Sequence, residues 1–302
     1  MDGWTGFIYC GSRSARVPGV SNTHRQQQVV SCRFARSIPL FSSQLPVAVT
    51  KSGGGAMSAR LPRKRFYRAR AHSNPLSDSH FPVPICPSDV DFSSHYPHFF
   101  PGPGPAHAHD GPRPMVRFAD VGCGFGGLLV GLSPLFPDTL MIGMELRDKV
   151  TEYVKDRIQG LRATNPGQYN NISVVRTNSM KYIPNYFQKA QLSKMFFLFP
   201  DPHFKEKNHR RRVISVQLLD EYAYVMEVGG IIYTVTDVEE LGEWMKSCLE
   251  KHPLFEAVGE EEINTDPVVK LLTSATEEGQ KVARNGGQTF MAIYRRVASK
   301  ED

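Results

Sequence analysis

Residues 116–135 read VRFADVGCGFGGLLVGLSPL. Val116–Val121 is a short apolar run bounded by turn residues, which predicts a buried strand. Gly122, Gly124, Gly126 and Gly127 then form a turn, and 127–135 predicts a helix. The same unit recurs downstream. Residues 139–145 predict a second strand, with a helix over 147–163, and residues 172–177 predict a third. Residues 194–199 predict a fourth, separated by a long basic loop from a helix over 216–227. A fifth strand at 230–236, a helix at 238–251, and strands at 255–258 and 290–297 complete the pattern. Strands alternating with helices over short links predict an α/β fold: a mostly parallel seven-stranded sheet with helices on both faces.

Upstream the composition changes. Residues 1–56 are rich in Ser, Arg, Val and Gln, hold Asp2 as their one acid, and show no apolar period. They read as a disordered leader ahead of Met57, with an organelle transit segment as the alternative. Residues 57–112 predict an extended basic arm. It carries Arg60, Arg63, Lys64, Arg65, Arg68 and Arg70 around Phe66 and Tyr67, then a Pro-, His- and Ser-rich stretch. The run from Pro101 to Pro105 excludes helix and central strand, while Asp91-Phe92 and the segment from Tyr96 to Phe100 offer docking points. The main domain occupies 113–298.

Bulk properties narrow the class. The chain has 302 residues, 40% hydrophobic and 22% charged, with net charge +6. That supports a real core and is compatible with a polyanionic partner. Five scattered cysteines without a C-x-x-C pair argue against a disulfide scaffold or a zinc site. No apolar run reaches the roughly 18 residues of a membrane helix.

Three stretches carry chemistry. Glycines at a strand–helix turn let a ligand approach the backbone and the free N–H groups of the helix start. As G-x-G-x-x-G (Gly122, Gly124, Gly127) the turn suits a dinucleotide; as D-x-G-x-G-x-G from Asp120 it suits S-adenosylmethionine. Glu145, ending the second strand about 20 residues on, is placed to accept from both ribose hydroxyls; the plain alternative is a solvated glutamate opening a helix. Arg147 would flank the ligand or pair with a nearby acid. Asn178-Ser179 ends the third strand where an adenine would lie, or simply caps a helix before Met180. Most specific is Phe196-Phe197-Leu198-Phe199-Pro200-Asp201-Pro202-His203-Phe204-Lys205. Two prolines hold Asp201 on a stiff turn at the carboxyl edge of the sheet. Lys205, Lys207, Arg210, Arg211 and Arg212 follow as candidate RNA-phosphate contacts, against the simpler reading of a solvated face.

The motifs DVGCGFGG, FLFPDPHFK and TSATEEGQKVARNGG, with the arm motif from Arg68 to Pro75, resemble the eukaryotic tRNA (guanine-N7)-methyltransferases, catalytic subunits of a two-protein enzyme. The resemblance covers about residues 60–298. It implies a Rossmann-like class I methyltransferase fold, methyl transfer to guanine N7 at variable-loop position 46, and a WD-repeat partner in the nucleus. It implies Gly122, Glu145, Arg147, Asn178, Ser179 and Leu198 in the S-adenosylmethionine pocket, and Asp201 as the catalytic acidic residue. Thr276 and Glu278 would close over the methionine end. Ser73, with Arg70 and Arg68 before it, fits a basic-directed kinase and a negative effect on activity. Three rivals remain at this point: a NAD-dependent dehydrogenase, a non-catalytic RNA-binding protein and a small-molecule methyltransferase.

Overall fold

The computed structural model describes residues 61–70, 73–77, 80–100 and 114–299. The leader 1–56, Arg60, His72 and the Pro101–Pro105 run lie outside the described residues.

The seven strands are β1 Val116–Val121, β2 Leu140–Glu145, β3 Ile172–Arg176, β4 Leu192–Leu198, β5 Met226–Thr236, β6 Phe255–Ala257 and β7 Phe290–Arg296. They form one sheet among the described residues, in the order β3-β2-β1-β4-β5-β7-β6. The first five pair in parallel; β7 runs antiparallel to β5 and β6. Strand order reverses between β1 and β4, so a crevice opens at their carboxyl ends, the usual ligand position in such sheets.

Side chains alternate between the two faces, so one strand feeds two cores. Leu140, Ile142 and Met144 join Val116, Ala119 and Phe197 on one side; Met141 joins Phe118, Phe196 and Tyr233 on the other. Both faces being covered explains why β2 is buried at every position. The helices are α1 Phe92–His95, α2 Gly127–Leu132, α3 Asp148–Thr164, α4 Ser179–Tyr186, α5 Val216–Val225, α6 Glu239–Lys251, α7 Glu260–Thr265, α8 Val269–Ser274 and α9 Glu277–Arg284. In α3 the buried residues Val150, Tyr153, Val154 and Ile158 make one apolar stripe. Ser215 caps α5 by accepting from the Leu218 N–H.

Three local expectations are adjusted. Helix α2 stops at Leu132, before Pro134. Strand β5 begins at Met226 rather than residue 230: it takes the end of the expected helix and absorbs Gly229, at φ 88°, where its register against β4 shifts. The late segment before β7, for which the sequence pattern gives no element, carries α8 and α9.

The arm is docked. Tyr96 is fully buried and donates to the Met141 carbonyl at 2.7 Å. His95 Nδ1 lies 2.8 Å from Ser173 Oγ. Lys64 pairs with Glu277 at 2.6 Å and stacks over Phe125. Tyr67 bonds Asp156 and meets Tyr153 edge-on.

Candidate active site

The carboxyl ends of β1, β2 and β4 frame a cleft of about 800 Å³, open mouth included. Its floor is the glycine turn. Gly122 sits at φ +74°, a left-handed conformation that costs an L side chain roughly 1–2 kcal/mol, and the space beyond its Cα is open. Gly127 serves a second need: a Cβ there would meet the Ala275 carbonyl at 2.2 Å, so the late segment can rest on the start of α2. The turn is anchored by Gly122 N–H donating to the Met144 carbonyl at 2.8 Å.

Glu145 closes β2 at 4% exposure. Its carboxylate accepts from Arg147 three times: Oε1 from the backbone N–H at 2.9 Å and from Nε at 3.0 Å, Oε2 from Nη2 at 3.0 Å. Two bonds fill Oε1, and Oε2 keeps one lone pair for a ligand hydroxyl. Both ribose hydroxyls can be accepted only if Arg147 gives way, a constraint the sequence does not reveal. Burial works against the Arg147 guanidinium, but bonding to Glu145 and the charges of Glu145 and Asp201 outweigh it and raise its pKa.

Asp120 ends this acidic corner. Burial, then the charges of Glu145 and Glu277, push its carboxyl up to about 8.

Asn178 caps α4, accepting from Met180 N–H at 3.2 Å, and its Nδ2 donates to the arm carbonyl of Pro75 at 2.6 Å. Both sides of its amide are thereby occupied, so the cap reading holds, and the wall here is completed by the arm. Ser179, first residue of α4, lines the cleft beside Met180.

On the far wall, Leu198 leads into the Pro-Asp-Pro turn. Phe199 and His203 both adopt positive φ, 50° and 48°. Non-glycine residues take that region at a cost of about 1–3 kcal/mol, and such strain concentrates at functional sites. Asp201 lines the cleft and also a neighbouring cavity with Ser73, Phe204 and Arg211.

The structure therefore brings Gly122, Glu145, Arg147, Asn178, Ser179, Leu198 and Asp201 around one cleft. Thr276 and Glu278 are not among its lining residues. Thr276 caps α9 by accepting from Gly279 N–H, and Glu278 is exposed and pairs with Lys281 at 3.2 Å. Lys205, Lys207 and Arg210 are exposed along the 3₁₀ turn Glu206–Arg211, and Arg211 reaches the cleft. Arg212 corrects the expectation of an RNA contact: at 2% exposure it is interior, bonded to Pro202 and Glu240, and cannot meet a phosphate. Cleft residues that sequence reasoning misses include Met144, Leu146, Ser73 and Pro75. The first two flank Glu145 and were visible as its apolar neighbours; the arm residues were not, because docking is a tertiary event.

The family described as "Putative methyltransferase" matches residues 114–292. A rice protein named tRNA (guanine-N(7)-)-methyltransferase is 81% identical over 250 residues, 82% of this chain and 96% of its own length. An Arabidopsis thaliana protein of the same name is 73% identical over 82% of this chain and 97% of its own. The Mus musculus one is 55% identical over 79% and 92%. The chain belongs to the tRNA (guanine-N(7)-)-methyltransferase family. Membership at this identity sets aside the dehydrogenase reading of the glycine turn, and with it the non-catalytic and small-molecule alternatives. Among the described residues no helix is long and apolar enough to cross a membrane.

Proposed function

We propose that this methyltransferase acts on N7 of a guanine in tRNA, at variable-loop position 46, with the turn after β1 seating the cofactor and the turn after β4 seating the base. One observation carries the assignment of roles: the two turns leave adjacent paired strands, with Asp120 opposite Phe196, and open into a single cleft.

The residues fit S-adenosylmethionine. Gly122 leaves the floor bare, Glu145 offers an acceptor for the ribose, and Ser179 at the α4 start offers its backbone N–H to the adenine edge. When bound, this cofactor supplies an electrophilic methyl. Guanine N7 has a lone pair and no proton to lose, so the protein needs no strong base there. Its work is alignment of nucleophile and methyl. Asp201, as a carboxylate, accepts from N1–H and N2–H₂ of guanine and offsets the positive charge that N7 methylation creates. Adenine lacks that donor pair and is rejected. The base must leave its stack to enter, and Lys205, Lys207, Arg210 and Arg211 hold the backbone beside it.

Ser73 lines the cleft and an adjoining cavity with Arg70, Arg147, Lys149 and Arg176. Phosphate on Ser73, added by a basic-directed kinase, would draw these cations and deny them to RNA. A WD-repeat partner in the nucleus would extend the RNA-holding surface. Methyl transfer from labelled cofactor to tRNA transcripts carrying G or A at position 46 tests the whole; incorporation independent of that base overturns it. Equal turnover by the Ser73-phosphorylated and unmodified protein overturns the regulatory part.

A further inference from the structure

Four of the five basic residues that the sequence offers as RNA contacts reach solvent or the cleft. The fifth, Arg212, has a side chain only 1% exposed. Its Nε donates to the Pro202 carbonyl at 2.9 Å. Its Nη2 pairs with Glu240 of α6 at 2.7 Å. Its guanidinium lies 4.8 Å from the ring centre of Trp244, also on α6. Trp244 is itself tied down, its indole N–H donating to the Ile214 carbonyl at 2.8 Å. The buried Nη1 has no hydrogen-bond partner among the described residues.

A buried guanidinium with an orphan donor, whose one carboxylate partner is exposed, is a poor choice for stability alone, since apolar residues of the same volume often serve as well or better. What apolar residues cannot supply is a directed hydrogen bond to one chosen carbonyl. Pro202 directly follows Asp201, inside a turn bounded by the positive-φ residues Phe199 and His203. Such a backbone persists only where its surroundings hold it.

We infer that Arg212 is a positioning residue for Asp201, gripping the Pro202 carbonyl and bracing the turn against Glu240 and Trp244 on α6. The inference rests on the reading of Asp201 as the residue that takes the guanine. It requires the planar fork of arginine, because lysine cannot keep the stack, the carbonyl bond and the ion pair together.

The test uses the full chain with its tRNA. Arg212→Lys should lower kcat by about a hundredfold, the loss expected of an ångström-scale misplacement, while KM for S-adenosylmethionine stays within twofold. Glu240→Ala, at an exposed position outside the cleft, should lower kcat several-fold with the same unchanged cofactor KM, and serves if the lysine variant does not fold. In an Asp201→Asn background, single-turnover rates should show little further loss from either change, because neighbours acting as one unit are not additive. Wild-type kcat in the folded variants overturns the inference, as does an equal fold-loss in both backgrounds, which would mark a general structural role. If Asp201→Asn alone turns over at the wild-type rate, the reading of Asp201 has failed and the role of Arg212 falls with it.

Discussion

Asp120 should make the fold lose stability as pH rises through neutrality, and Asn at the same position should abolish that loss. The carboxyl sits near the end of β1 at 3% exposure, with the charges of Glu145 and Glu277 bearing on it. Its pKa goes from 3.8 unfolded to about 8 folded. Between those values the folded chain keeps a proton that the unfolded chain releases, so rising pH favours unfolding. The penalty is absent below about pH 4, accumulates to about pH 8 and is constant above. Each pH unit in that window costs about 1.4 kcal/mol, hence roughly 2–3 kcal/mol between about pH 6 and pH 8. For a body of this size that is a fall in Tm of roughly 5–10 °C. Asp120→Asn keeps the shape and removes the titration. Urea unfolding at about pH 6, 7 and 8 on both proteins, without cofactor, isolates the effect. Parallel stability profiles for the wild-type chain and the Asp120→Asn variant would refute the argument that this carboxyl is neutral in the folded state.

Asp201→Ala should abolish most turnover and leave calorimetric binding of S-adenosylmethionine unchanged; retained turnover removes Asp201 from the mechanism. Glu145→Gln should weaken cofactor binding about 10–100-fold, the range of one charge-assisted hydrogen bond, read by calorimetry, and near-wild-type affinity would mean that Arg147 never yields its partner. Replacing Lys205, Lys207 and Arg210 together with Ala should reduce the slope of log affinity for tRNA against log salt by about 2–3 without altering cofactor affinity. An unchanged slope would make that run a solvated face only.

Much of the catalytic body was legible because its determinants are local. An apolar run, a cluster of glycines and a helix start are neighbours in sequence, so residues 116–132 predict their own conformation. Glu145, Asn178 and Asp201 follow from the same rule, each being a polar residue at the carboxyl end of a strand. Chain order also foretold parallel pairing, since strands separated by helices have few other ways to share a sheet. Residues whose role depends on what lies across the fold were not legible. Arg210, Arg211 and Arg212 read alike as a basic run, yet the first is exposed, the second lines the cleft and the third is interior, because α6 presents Glu240 and Trp244 to receive it. The arm shows no period, and its seat beside Asn178 and Lys64's grip on Glu277 come from long-range pairing. The occupancy of Glu145 by Arg147 is likewise a matter of rotamer and burial, which packing sets and spacing does not.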